Sequence, residues 1–184
     1  GGGYATGSGG SLAQDGANLA RHFDVVVVET NHRLNIFGFL YLGAIAGEEY
    51  ATSGNNGILD IVEGLKWVKT NIAQFGGDPD NVMICGESGG GYKTSILYGM
   101  PAAAPYFNKA SIESGPGLRV NSLETATMVA ELTLKELGIA KNDWRKLFEV
   151  PAEQLFTLQG QMNNFLQGKA LKKGERFGFA PVVD

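Results

Sequence analysis

The apolar residues of this chain fall into segments of two kinds. Residues 24–30 read Asp-Val-Val-Val-Val-Glu-Thr. Four consecutive β-branched residues without alternation predict a strand buried on both faces, as in a parallel sheet. Residues 81–85, Asn-Val-Met-Ile-Cys, predict a second short buried strand, and residues 110–113, Ala-Ser-Ile-Glu, a third. Elsewhere the period is helical. Ile58, Ile61, Val62, Leu65, Val68, Ile72 and Phe75 form one apolar stripe, so residues 56–75 are expected to be a helix, ended by Gly76-Gly77 and Pro79. Residues 89–98 predict a helix stopped by Gly99 and Pro101. Ser122 is placed to cap a helix running to Leu137, with Gly138 just past its end, and Pro151 suits the first turn of another. Residues 1–10 read as loop, followed by a short helix with Asp15 as its cap. Residues 31–56 show no clear period and are expected to form a long excursion. Strands alternating with helices imply the α/β class: a mostly parallel central sheet flanked by helices.

Composition narrows the function classes. The 184 residues suffice for one domain with a core, and 43% hydrophobic with 18% charged residues is a globular balance. The net charge is −4 and no long basic run occurs. Nucleic-acid binding rests on clustered Lys and Arg, so a nucleic-acid partner is not expected. No apolar segment is long enough to span a bilayer. The single cysteine, Cys85, allows no internal disulfide. Neither Gly1-Gly2-Gly3 nor Pro181-Val182-Val183-Asp184 reads as a domain boundary, where polar linkers are usual. The expectation is a fragment, residues 1–184 being part of a larger domain. The absence of a leader then leaves localisation open.

The chemistry concentrates in residues 84–95, Ile-Cys-Gly-Glu-Ser-Gly-Gly-Gly-Tyr-Lys-Thr-Ser. Gly86, Gly91, Lys93 and Thr94 nearly match the phosphate-loop pattern GxxxxGK[ST]. That pattern needs Lys directly after the second glycine, and Tyr92 intervenes. One extra helical residue turns Lys93 by about 100° and lifts it by about 1.5 Å. Glu87 inside the loop would also repel phosphate. Gly86-Glu87-Ser88-Gly89-Gly90 matches GxSxG, the nucleophile elbow, at every position. There a serine projects from a strained strand-to-helix turn, and small residues two before and two after it prevent clashes. The N–H of Gly89 would face a developing oxyanion at the start of a helix, where the dipole is favourable. The same architecture takes further oxyanion donors from a glycine-rich loop after an earlier strand. Gly1-Gly2-Gly3 lies upstream in that order, and its backbone can approach a ligand with no side chains in the way.

Several longer motifs, in order, resemble the type-B carboxylesterase family, the α/β-hydrolases that include cholinesterases, in a form similar to bacterial members. Gly1 to Gly9 resembles the HGGGF-type oxyanion loop. Asn31-His32-Arg33-Leu34 with Gly38-Phe39-Leu40 resembles NYRLxxxGFL, and Gly54-Asn55-Asn56-Gly57-Ile58-Leu59-Asp60 resembles GNxGLLD. Residues 65–72 resemble LxWVxxNI, residues 75–79 match FGGDP, Glu113-Ser114-Gly115 resembles QSG, and residues 181–184 resemble PVVDG. The commoner elbow is GESAGG; Gly89 stands in place of that alanine.

The resemblance implies an α/β-hydrolase fold with Ser88 as nucleophile and Gly2, Gly3 and Gly89 as oxyanion donors. It implies that Glu87 joins a buried polar network and that Ser114 lies near the triad acid; a structural carboxylate and a turn serine are the plainer alternatives. Arg33 is expected to pair with a carboxylate in the core, and Asp60 and Glu63 to be helix-start and surface acids. A serine hydroxyl needs a base, and the only histidines, His22 and His32, precede Ser88. The fold's order is Ser, then acid, then His. Both histidines are therefore read as structural, and the acid and base are expected beyond Asp184. The implied activity is hydrolysis of a small carboxylic ester through an acyl-enzyme, with no metal or cofactor. The alternative is a non-catalytic binding protein on the same fold.

Overall fold

The computed structural model describes residues 1–166 and 178–183. Asp184 of the C-terminal motif lies outside the described residues. The chain divides into two compact units, Gly1–His32 with Ile58–Leu118, and Arg33–Gly57 with Arg119–Asp184.

The first unit carries a strand–helix–strand crossover. Strand β1, Met83–Glu87, leads into helix α5, Gly89–Gly99, and the chain returns as β2, Lys109–Glu113. The strands pair in parallel, Met83 opposite Lys109 and Glu87 opposite Glu113. Parallel neighbours require such a crossover, and α5 packs on both strands. The expected burial on both faces is not found: within β1 only Ile84 is buried, and Met83 and Cys85 are exposed. One helix covers one face of a two-stranded sheet.

The valine run departs furthest from expectation. Residues 24–30 form no strand, and Val25 to Val28 are 37–49% exposed. A strand needs a ladder partner, and among the described residues none pairs with this segment. It is held along one side instead. The Gly9 N–H donates to Asn31 Oδ1 at 3.0 Å and the Gly16 N–H to Glu29 Oε1 at 3.1 Å. Val27 lies against Gly16, where an added Cβ would meet its side chain at 2.3 Å. The short helix α1, Ala17–His22, follows the loop with Gly16 rather than Asp15 at its N-cap; Asp15 Oδ1 accepts from the Ala17 N–H at 2.9 Å, closing a side-chain turn just before the helix.

The amphipathic helix α4 spans Asn56–Asn71 and tightens into a 3-10 turn over Ile72–Phe75. Ile58, Val62, Leu65, Val68 and Ile72 are buried, each worth roughly 1.5–3 kcal/mol of transfer free energy before entropy. Phe75 was expected on this stripe but is exposed, its ring tilted against Trp67 at 5.7 Å between ring centroids. A 3-10 turn advances about 120° per residue rather than about 100°, which carries Phe75 off the buried face. Gly76 takes φ +84° and the Gly77 N–H closes on the Ile72 carbonyl at 3.0 Å, ending the helix as the glycine pair predicted.

In the second unit the aperiodic excursion resolves into single turns: α2, Asn35–Phe39, and α3, Gly43–Ala46, followed by 3-10 turns at Glu48–Tyr50 and Ser53–Asn55. Elements one turn long leave no period to read. Helix α6, Leu123–Glu136, is capped as expected, Ser122 Oγ accepting from the Thr125 N–H at 3.2 Å, and Gly138 follows with φ +68°. A 3-10 segment, Lys141–Glu149, precedes α7, Ala152–Leu166, which starts directly after Pro151. Tyr41, Ala126 and Val182 cluster in this unit's core. The Asn55 side-chain amide grips Val182 from both sides, donating to its carbonyl and accepting from its N–H, each at 3.0 Å.

Candidate active site

Ser88 sits where β1 ends and α5 begins, with φ +52° and ψ −114°. A non-glycine residue is strained in that region. Two backbone hydrogen bonds hold it there: its N–H donates to the Glu113 carbonyl at 2.9 Å, and its carbonyl accepts from the Tyr92 N–H at 3.0 Å. The glycine spacing has a direct steric cause. A Cβ on Gly86 would lie 2.3 Å from the Gly90 carbonyl carbon, and one on Gly91 would lie 2.4 Å from the Glu113 carbonyl oxygen. Ser114, the residue after β2, repeats the strain with φ +50°. Since Glu87 and Glu113 are in register, both strained serines follow the carboxyl ends of adjacent parallel strands, the end at which open α/β sheets bind ligands.

The glycine-rich loop lies against this turn. Gly2 and Gly3 have φ +79° and +62°. The Gly2 carbonyl accepts from the N–H groups of Ala5 and Thr6 at 3.2 and 3.1 Å, making a tight turn. A Cβ on Gly89 would fall 2.3 Å from both the nitrogen and the oxygen of Gly3. Gly3 and Gly89 therefore touch backbone to backbone, and a Cβ at 89 would require the loop to move.

Lys93 was not singled out as a site residue by sequence reasoning. It is 5% exposed, and its Nζ donates to the Gly3 carbonyl at 2.6 Å and lies 5.6 Å from the Tyr4 ring centre. Burial pulls its pKa down to about 8. The signal was present in the sequence. Gly89, Lys93 and Leu97 recur at i, i+4 and i+8, so Lys93 falls on the buried stripe of α5, where a cation requires a partner. That partner is the Gly3 carbonyl, which leaves the lysine no phosphate-loop role.

The remaining expected residues divide. Glu87 is exposed, with Oε2 3.3 Å from the position of a Cβ on Gly1. Arg33 lies at the surface rather than in the core. Glu63 pairs on the surface with Lys66 at 2.6 Å. His22 closes α1, as expected. His32 is half-buried, with Nε2 buried and without a hydrogen-bond partner. Its pKa is lowered to about 4, first by burial and then by the charge of Lys93, with Asp60 acting in the opposite direction. Among the described residues no group of three or more His, Cys, Asp or Glu is placed to hold a metal ion, and no helix is long and apolar enough to cross a membrane.

The fold that carries this serine is the α/β-hydrolase fold, and solved carboxylesterase structures share that fold. A carboxylesterase from Geobacillus stearothermophilus superposes with a TM-score of 0.86 at 45% identity, over all of this chain and 38% of that one. Juvenile hormone esterase from Manduca sexta, solved with OTFP covalently attached, gives 0.82 at 33% identity, over all of this chain and 33% of that one. The para-nitrobenzyl esterase of Bacillus subtilis is 43% identical over 162 residues, covering 88% of this chain and 32% of that protein. The model of the carboxylesterase family matches residues 1–184. The chain belongs to the carboxylesterase family, and spans about a third of the length of these relatives.

Proposed function

We propose that this chain is the nucleophile-bearing part of an α/β-hydrolase domain that cleaves small carboxylic esters through an acyl-enzyme. The observation that carries the reading is the positive φ of Ser88 at the start of α5, with the Gly3 backbone packed against Gly89. Ser88 Oγ attacks the ester carbonyl carbon as a general base takes its proton. The carbonyl oxygen becomes an oxyanion, which N–H groups of Gly2, Gly3 and Gly89 and the N-terminus of α5 stabilise. Collapse of the tetrahedral intermediate expels the alcohol, protonated by the same base, and leaves an acyl-Ser88 ester. Water, deprotonated by the base, releases the acid. This chemistry requires no cofactor. His32 is unsuited to the base role, because a group with a pKa near 4 is a feeble proton acceptor at neutral pH. The acid and histidine are assigned to sequence following Asp184, in the order the fold uses. The covalent adduct of the Manduca sexta relative supports a covalent route.

The test is labelling with a fluorophosphonate probe, applied to the longest native polypeptide containing this chain. Mass spectrometry should place the adduct on Ser88, and Ser88→Ala should lose both the adduct and p-nitrophenyl acetate turnover, by roughly three or more orders of magnitude. A folded protein that takes no label and turns over no ester would leave a non-catalytic binding role on this fold.

A further inference from the structure

We infer that Lys93 is a positioning residue whose buried ammonium clamps the Gly3 carbonyl and so fixes the Gly1–Gly3 loop against Gly89. Its link to catalysis rests on the esterase reading; the clamp itself does not. Three consecutive glycines have no side chains by which the fold could hold them, so their backbone groups are the only handles. The Gly2 carbonyl is taken up inside the loop by Ala5 and Thr6. The Gly3 carbonyl is taken by Lys93, across 90 positions of sequence. Among the described residues no carboxylate forms an ion pair with this lysine, whose contacts are the carbonyl and the face of Tyr4. Tyr4 is itself buried, 6.3 Å from the Tyr92 ring on α5. An apolar side chain would fill this site at lower cost than a desolvated cation. What the lysine adds is direction: a charge-assisted bond anchored one helical turn beyond Gly89, on the same face of α5. Gly89 and Lys93 then form one device, the glycine leaving room for Gly3 and the lysine keeping it there.

The experiment compares wild type with Lys93→Met, which keeps the chain length and removes the donor, and with Lys93→Leu, which also lacks a donor, should the first variant not fold. Amide hydrogen exchange is read at Ala5 and Thr6, whose N–H groups close the loop, and at β1 and α5. The expected result is exchange faster by about tenfold or more at Ala5 and Thr6, with β1 and α5 unchanged. In the longest native polypeptide, kcat should fall by about tenfold or more while KM stays within about threefold, the pattern of a lost transition-state contact. Unchanged exchange at Ala5 and Thr6 in a folded variant overturns the clamp. So does a uniform rise that includes α5, which would make Lys93 a packing residue. If wild type shows no turnover, the esterase reading fails, and the exchange comparison still decides the clamp.

Discussion

His32 links charge to stability at a single side chain. Its imidazole is held near pKa 4, against an ordinary value of 6.5, by burial first and Lys93 second. The unfolded chain therefore binds a proton between about pH 6.5 and 4 that the folded chain refuses. The contribution is fully present above pH 6.5 and is lost as pH falls through that window toward 4. The shift corresponds to at most roughly 3–4 kcal/mol, and to roughly 1–2 kcal/mol once solvent screening at a half-buried site is allowed for. Urea titrations from pH 7 to pH 4 should show this slope, and His32→Phe should flatten it. In Lys93→Met the imidazole midpoint, followed by NMR, should move up from about 4 without reaching 6.5, since burial remains. A midpoint unmoved by that substitution would mean the two groups do not sense each other.

The elbow depends on what is missing at Gly86 and Gly91. A methyl at 91 meets the Glu113 carbonyl oxygen at 2.4 Å, a backbone atom fixed in the β1–β2 ladder. Relief must come from moving α5 off the sheet, so Gly91→Ala should destabilise by roughly 1–3 kcal/mol, the usual cost of overpacking. Gly99, at the far end of α5, has nothing within 4 Å of an added Cβ, and Gly99→Ala should be neutral or mildly stabilising by comparison. Equal denaturation midpoints for the two variants would contradict the packing described. At this scale the sequence was most legible where local chemistry decides. Ser122 caps through its hydroxyl, Gly76 ends its turn through a left-handed backbone that glycine adopts freely, and the GxSxG spacing follows from contacts within a few residues. It was least legible where a distant partner decides. Val25 to Val28 have every propensity of a strand and lack a ladder. Phe75 has the right spacing and the wrong turn. Lys93 satisfies its charge at a residue no local pattern connects to it.

For the whole molecule the decisive quantity is the position of histidine in the chain. His22 and His32 lie before Ser88, and the second is kept neutral by its surroundings. The 184-residue polypeptide alone should therefore hydrolyse p-nitrophenyl acetate orders of magnitude more slowly than a protein supplying acid and base, retaining only what an oxyanion hole provides. Rapid, Ser88-dependent turnover by these 184 residues would require a base among them. The family was readable from the long motifs in order. The two-unit division was not, since motif order carries no information about which segments pack together.

The unequal sequence distances within the site have a consequence for how it is built. The elbow's defining contacts, β1 with β2 and α5 on both, close within residues 83–113. The loop's anchor joins residues 3 and 93. Short closures cost less entropy and nucleate sooner. Refolding should assemble the strained serine first and dock its glycine loop afterwards. Pulse-labelled exchange should then find the Ser88 and Tyr92 amides protected before those of Ala5 and Thr6, and the reverse order would refute this sequence of events. A chain caught between the two stages would already display its nucleophile while lacking the groups that stabilise charge beside it.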